Sequence, residues 1–313
     1  SSTEEYVEPI NATFDFIVKL ILDGGGYLDR TANARIYALD ARGANAAADQ
    51  GAVPGSGAYV AGWPAKLGDL EPGLLPTIGD GATASPALAK LGKGKALSVV
   101  ASSTAGPLYV LKANGRSALG TEDGKVGSPA KVLSQSPAVN GFANLAIPAL
   151  GGATVAPLGT ATSPSILAAT ATVGRLLDQG YPGMQSPSAN GLGAWSPSGG
   201  FLGGFPGTVD DLQFLAYPVV ASLNGPSQGG FAIEGSGLAN LRAYGPGGKV
   251  PGTWPKFTGG WVVGSAAVGP VQGAKHQVVM VGTRQGYLFT WPTALKACVG
   301  AGAWPQGHHD LAN

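Results

Sequence analysis

Gly252-Thr253-Trp254-Pro255-Lys256-Phe257-Thr258-Gly259-Gly260-Trp261-Val262-Val263-Gly264-Ser265-Ala266-Ala267-Val268-Gly269 opens the stretch that decides the fold. It continues through His276-Gln277-Val278-Val279-Met280-Val281-Gly282 and Tyr287-Leu288-Phe289-Thr290-Trp291, and closes on Trp304-Pro305-Gln306-Gly307-His308-His309-Asp310. Residues 262–268, 277–282 and 287–291 are apolar runs of strand length, separated by glycine-bearing turns. They predict a small antiparallel sheet led in by an aromatic–proline pair.

Related units are legible upstream. Residues 84–89, 96–102 and 107–115 repeat the order of a proline-led strand, an apolar strand and a tyrosine-bearing strand that ends at a turn glycine. Residues 34–43 run into a turn and are followed by Gly62-Trp63-Pro64. Residues 153–157, 165–170, 173–178 and 191–195 predict a further unit, and Phe205-Pro206 stands where the others have Trp-Pro. Residues 217–221, 230–234 and 239–244 make the next, ending at Trp254-Pro255. The units fall near 9–64, 84–150, 153–206, 217–255 and 262–313, at spacings of roughly 50 to 80 residues. This reading gives one domain over 1–313, expected to belong to a larger precursor. The fold class predicted is an all-β propeller of about five to six four-stranded blades with long Gly/Ser/Pro-rich loops. Stacked blades bury one another's faces, and an aromatic at the seam fills the space between them.

Composition narrows the function. With 52 glycines, 24 prolines and 12% charged residues, long helices are disfavoured. A net charge of +1 makes no electrostatic case for nucleic acid or an anionic membrane, and no apolar run is long enough to span a bilayer. Cys298 is the single cysteine, so no intrachain disulfide forms, and three histidines with one cysteine do not suggest a zinc site.

The motifs with chemical potential read as structural. His308-His309-Asp310 and Asp210-Asp211 place neighbouring side chains on opposite faces of a strand, so a closing segment and a solvated loop are expected of them. His276 stands alone in a polar turn, and Cys298 has no histidine in recognisable context. Asp23-Gly24-Gly25-Gly26, Gly199-Gly200 and Gly191-Leu192-Gly193-Ala194 lack the lysine and helix of a nucleotide loop. Asn11-Ala12-Thr13 matches a glycosylation sequon. No catalytic, cofactor-binding or metal-ligating residue is predicted.

Phe205-Pro206 with Val209-Asp210-Asp211-Leu212, Trp254-Pro255-Lys256-Phe257-Thr258-Gly259-Gly260-Trp261, Val281-Gly282-Thr283-Arg284 and Trp304-Pro305 carry a family likeness. Through them the chain resembles the FG-GAP (integrin-like, VCBS-type) repeat propellers of large secreted bacterial proteins. The resemblance implies an extracellular or cell-surface protein. It also implies calcium in acidic turns, but the corresponding turns 90–95, 224–229 and 270–275 have no carboxylates, so no calcium is expected. The function expected is a non-enzymatic binding or assembly scaffold that meets protein subunits or surface glycans through its loop face, at loops 41–62 and 180–204. The alternative is a propeller enzyme, either a quinoprotein dehydrogenase, suggested by Tyr37-Ala38-Leu39-Asp40, or a polysaccharide-active enzyme.

Overall fold

The computed structural model describes residues 34–39, 59–67, 82, 84–92, 94, 96–102, 108–120, 133, 146–147, 152–172, 191–210 and 216–297. Strands β1 (Ala34–Ile36) and β2 (Ala65–Leu67) form the first sheet. Strands β3 (Ala87–Ala89), β4 (Ser98–Ser102) and β5 (Leu108–Leu111) form the second. The third holds β6 (Ala146–Ile147), β7 (Thr154–Ala156), β8 (Ser165–Thr172), β9 (Gly191–Trp195) and β10 (Gly207–Thr208). The fourth holds β11 (Val219–Ser222), β12 (Gly230–Gly235), β13 (Asn240–Tyr244) and β14 (Lys256–Phe257). The fifth holds β15 (Ala267–Gly269), β16 (His276–Gly282) and β17 (Leu288–Lys296). All the pairings are antiparallel.

Each sheet packs against its neighbours in chain order, and the two-residue period of a strand makes this possible. In the second sheet, Val99, Ala101, Tyr109 and Leu111 meet Trp63 and Ala65 of the first, while Val100, Leu108 and Val110 join the core of the third. In the fourth, Val220, Ala232 and Tyr244 face the third sheet. The alternate residues Val219, Ala221, Phe231, Ile233, Leu241 and Ala243 face the fifth. A strand buried on both faces reads as a continuous apolar run, as β5 and β11 do. Among the described residues the fifth sheet is covered on one side only, and β16 alternates between buried and accessible residues.

The third sheet is packed with small residues. Ala153, Ala156, Ala168 and Ala194 are buried in its core. Glycines make room for rings: a Cβ at Gly193 would strike Trp195, one at Gly207 would strike Tyr244, and one at Gly152 would strike Tyr217.

The predicted propeller is not formed. Among the described residues the structure is all-β, but its sheets are open, hold two to five strands rather than a repeating four, and do not close into a ring. In the third sheet, β8 pairs with β7 through Ser165–Leu167 and with β6 through Ala171 and Thr172, which departs from a four-stranded blade. The core clusters join consecutive sheets, and among the described residues none joins the fifth sheet to the first. Glycine and proline punctuation marks where strands end, which places the units. It carries no information on whether the row of sheets curls back on itself.

The aromatic–proline pairs do lie at junctions. Trp63-Pro64, Phe205-Pro206 and Trp254-Pro255 are all cis, and each leads into the strand that edges its sheet: β2, β10 and β14. The residue before the first two pairs is a glycine with positive φ, 92° at Gly62 and 79° at Gly204. Their missing side chains let backbone meet backbone. A Cβ at Gly62 would collide with the Asn114 carbonyl, and one at Gly204 with the Gly247 carbonyl.

Candidate functional site

The three junctions are finished differently. Trp63 is buried, 6% exposed, and its Nε1–H donates to the Ala113 carbonyl oxygen at 2.8 Å. Phe205 meets Tyr244 edge-on with ring centroids 6.3 Å apart, and the Tyr244 hydroxyl donates to the Thr208 carbonyl oxygen. Trp254, between the fourth and fifth sheets, is only half-buried and borders an open cavity of about 330 Å³.

Strand β17 builds the opposite wall. Its register sets Trp291 beside Val279 and Phe289 beside Val281, so both rings rest on the buried valines of the core shared with the fourth sheet. Phe289 and Trp291 lie nearly parallel, centroids 5.8 Å apart and planes 8° apart. Tyr287 continues the row, 6.2 Å from Phe289, and is 62% exposed. Residues two apart on a strand share a face, so these three rings form a ladder along β17. Phe257 stands close by, 71% exposed, and Gly259 is flanked by the Phe257 and Phe289 rings.

Polar groups complete the cavity. Asn224, Thr253 and Thr293 line it, and Lys256 places its Nζ over the Trp254 ring, 5.7 Å from the centroid. A cation above an aromatic face is held by the ring quadrupole, while the methylene stem covers apolar surface. The Ala294 N–H donates to the Leu223 carbonyl oxygen at 2.8 Å and ties β17 to the fourth sheet beside the cavity. A second cavity, about 390 Å³, lies between Leu158, Pro164, Pro197, Phe205 and Pro246. It is the roomier of the two, but serines are its only polar side chains and no charged group lines it. It has less with which to orient a polar ligand.

A buried polar cluster lies elsewhere, on the side of the fourth sheet that faces the third. Arg242 holds Asp210 through two hydrogen bonds, one from Nε to Oδ2 at 2.7 Å, and Asn240 Nδ2 donates to the same carboxylate at 3.1 Å. This pairing raises the Arg242 pKa, and burial raises that of Tyr244. Glu234 is the cross-strand neighbour of Arg242 yet is 1% exposed, with no hydrogen-bond partner for either carboxylate oxygen among the described residues. Burial pushes its pKa up to about 8, and the Gly235 N–H, outside hydrogen-bond geometry, offsets only part of that rise. Glu234 lines neither of the two cavities described above, and its burial with a raised pKa makes it matter for stability.

The motifs singled out in the sequence scatter. Asp210 is not in a solvated loop, since Arg242 and Asn240 bind it from 32 and 30 residues further on. Asp211 lies outside the described residues, as do Asn11-Ala12-Thr13, Asp23–Gly26, Cys298 and His308-His309-Asp310. His276 is exposed at the start of β16, opposite Lys296. Gly191–Ala194 is the buried interior of β9, and Gly199-Gly200 is the turn after it. The turn at 224–229 is closed by a hydrogen bond from Asn224 Nδ2 to Gln228 Oε1, 3.1 Å. Among the described residues no three His, Cys, Asp or Glu side chains gather as metal ligands. Without a ring there is no propeller loop face, which overturns the scaffold function as predicted. No axial site exists either for the quinoprotein or polysaccharide-active propeller enzyme. The candidate site lies instead in a junction between sheets. Its ingredients, Trp254-Pro255 and the alternating Tyr287, Phe289 and Trp291, were visible in the sequence as a seam and a strand. The opening between them was not.

No family model matches the chain, so the FG-GAP/VCBS resemblance is not sustained. No curated protein matches it either. Among solved structures, the crystal structure of the computationally designed Ika4 protein is similar at 12% identity and a TM-score of 0.34, covering 68% of this chain and 91% of that one. The crystal structure of BBS1N in complex with ARL6DN, soaked with lead, is similar at 13% identity and a TM-score of 0.34. That match covers 73% of this chain, which spans only 57% of the BBS1N-complex chain it matches. Likeness at this level assigns neither fold nor function.

Proposed function

We propose that this protein binds carbohydrate in the groove between its fourth and fifth sheets. The observation that supports this reading is the half-buried Trp254 on an open cavity that Trp291, stacked on Phe289, also lines, with Asn224, Thr253, Lys256 and Thr293 beside them, where the cavity at Phe205 offers only serines as polar side chains. Sugar rings present an apolar C–H face to the negative face of an aromatic ring, and their hydroxyls need hydrogen-bonding groups at the rim. Aromatic rings supply the first, and Asn224, Thr253 and Thr293 supply the second. An extracellular or cell-surface location belongs to the same proposal, because glycans are displayed there. A second reading is a contact with another protein subunit, favoured by Phe257, Tyr287 and Leu288, which are 71%, 62% and 71% exposed beside the groove.

The test is tryptophan fluorescence and calorimetry with gluco-, chito- and uronate-oligosaccharides. Saturable binding is expected, with Trp254→Ala and Trp291→Ala each weakening it by about tenfold or more. Trp254→Phe should retain most of the affinity, which separates loss of the ring from loss of the fold. No saturable binding by any of the three classes overturns the reading.

A further inference from the structure

We infer that the groove selects an acidic glycan, one bearing carboxylate or sulfate groups, with Lys256 as the residue that reads the charge. The inference rests on the carbohydrate reading of the same site. Three observations carry it. First, Lys256 is the only charged side chain lining the cavity, and its Nζ stands above Trp254, where a sugar stacked beside that ring would bring its substituents. Second, among the described residues Lys256 has no carboxylate partner. Third, the stretch of sequence that forms the last two sheets is one-sided. Lys249, Lys256, Lys275, Arg284 and Lys296 belong to the last two sheets and their turns, against the single carboxylate Glu234, which is buried. The other described carboxylate, Asp210, is held by Arg242. A neutral sugar would leave the ammonium group with only the ring beneath it. A uronate or sulfate would meet it in a partly desolvated groove, where a charge-assisted hydrogen bond is stronger than on open surface.

The chain's near-neutral net charge of +1 conceals this asymmetry, because of its 18 acidic residues only Glu234 falls within 216–297. Lysine at this position also suits the role. Its flexible stem can follow a charged substituent while still covering the indole.

The experiment compares an oligogalacturonate with a neutral cello-oligosaccharide of equal length, by calorimetry on the full chain at low and at physiological salt. The expected result is tighter binding of the oligogalacturonate by about tenfold at low salt, narrowing as salt rises. Lys256→Met keeps the apolar stem over Trp254 and should remove that preference, bringing the affinities for the two sugars to within about twofold of each other. Equal affinity for the two sugars, or a preference that survives Lys256→Met, overturns the inference and leaves the carbohydrate reading standing. Failure of both sugars to bind overturns the inference, and the carbohydrate reading falls with it when chito-oligosaccharides fail as well.

Discussion

The buried Glu234 makes stability depend on pH. The unfolded chain gives up its proton near 4.5, whereas the buried carboxyl keeps it to about 8. Between those values the native state holds one more proton than the unfolded state, so stability falls as pH rises. The contribution is fully present below about 4.5 and lost through about 8, at about 1.4 kcal/mol for each pH unit in the window. Urea unfolding of the wild type at pH 5 and pH 8 should show that decline, a loss of several kcal/mol. Glu234→Gln, neutral at both, should flatten it and be the more stable protein at pH 8. An unchanged pH dependence in the variant would show that another group carries it. Asp210 behaves in the opposite sense to its sequence reading. Next to Asp211 it reads as solvated, but Arg242 and Asn240 arrive from a strand that sequence spacing does not bring near.

At the scale of elements, the junctions depend on backbone packed against backbone. Gly204→Ala would force a left-handed residue and drive its Cβ into the Gly247 carbonyl. The cost should be at least about 2 kcal/mol, against a near-neutral Gly252→Ala, where nothing stands within reach of the new methyl. Equal denaturation midpoints for the two variants would refute this use of glycine. The strands themselves were largely legible, because glycine and proline bracket them: 191–195 is β9, and 277–282 falls within β16. Two boundaries were not. The third apolar run ended at Trp291, yet β17 continues through Pro292 to Lys296. Proline is tolerated there because β17 lies at the edge of its sheet among the described residues, where the missing donor need not break a ladder. Val262 read as the start of a strand, but it is buried and makes only an isolated bridge to Thr283, leaving β15 to begin at Ala267. The groove was illegible for a related reason. Its rings are in the sequence, but whether a junction is filled depends on the spacing between two sheets.

As a whole, the molecule is a row of sheets, each stabilised by its neighbours. Such an arrangement approximates a one-dimensional chain of interfaces, in which interior units gain from two contacts and terminal units from one. Native-state hydrogen exchange should therefore find the highest protection in β7, β8, β9, β11 and β12, whose residues lie between cores on both sides or deep in the largest one. Protection should be lower in β1 and β17. Uniform protection across all five sheets would mean that the row unfolds as a single cooperative body. The small side chains of the third sheet bear on temperature as well. Alanine and glycine withdraw little apolar area from water compared with leucine or phenylalanine. The heat-capacity increment of unfolding follows that area, and with it the curvature of stability against temperature. A middle sheet built from Ala153, Ala156, Ala168, Ala194 and Gly193 therefore lends the molecule a shallow stability curve, holding nearly level from cold to warm rather than peaking sharply at one temperature.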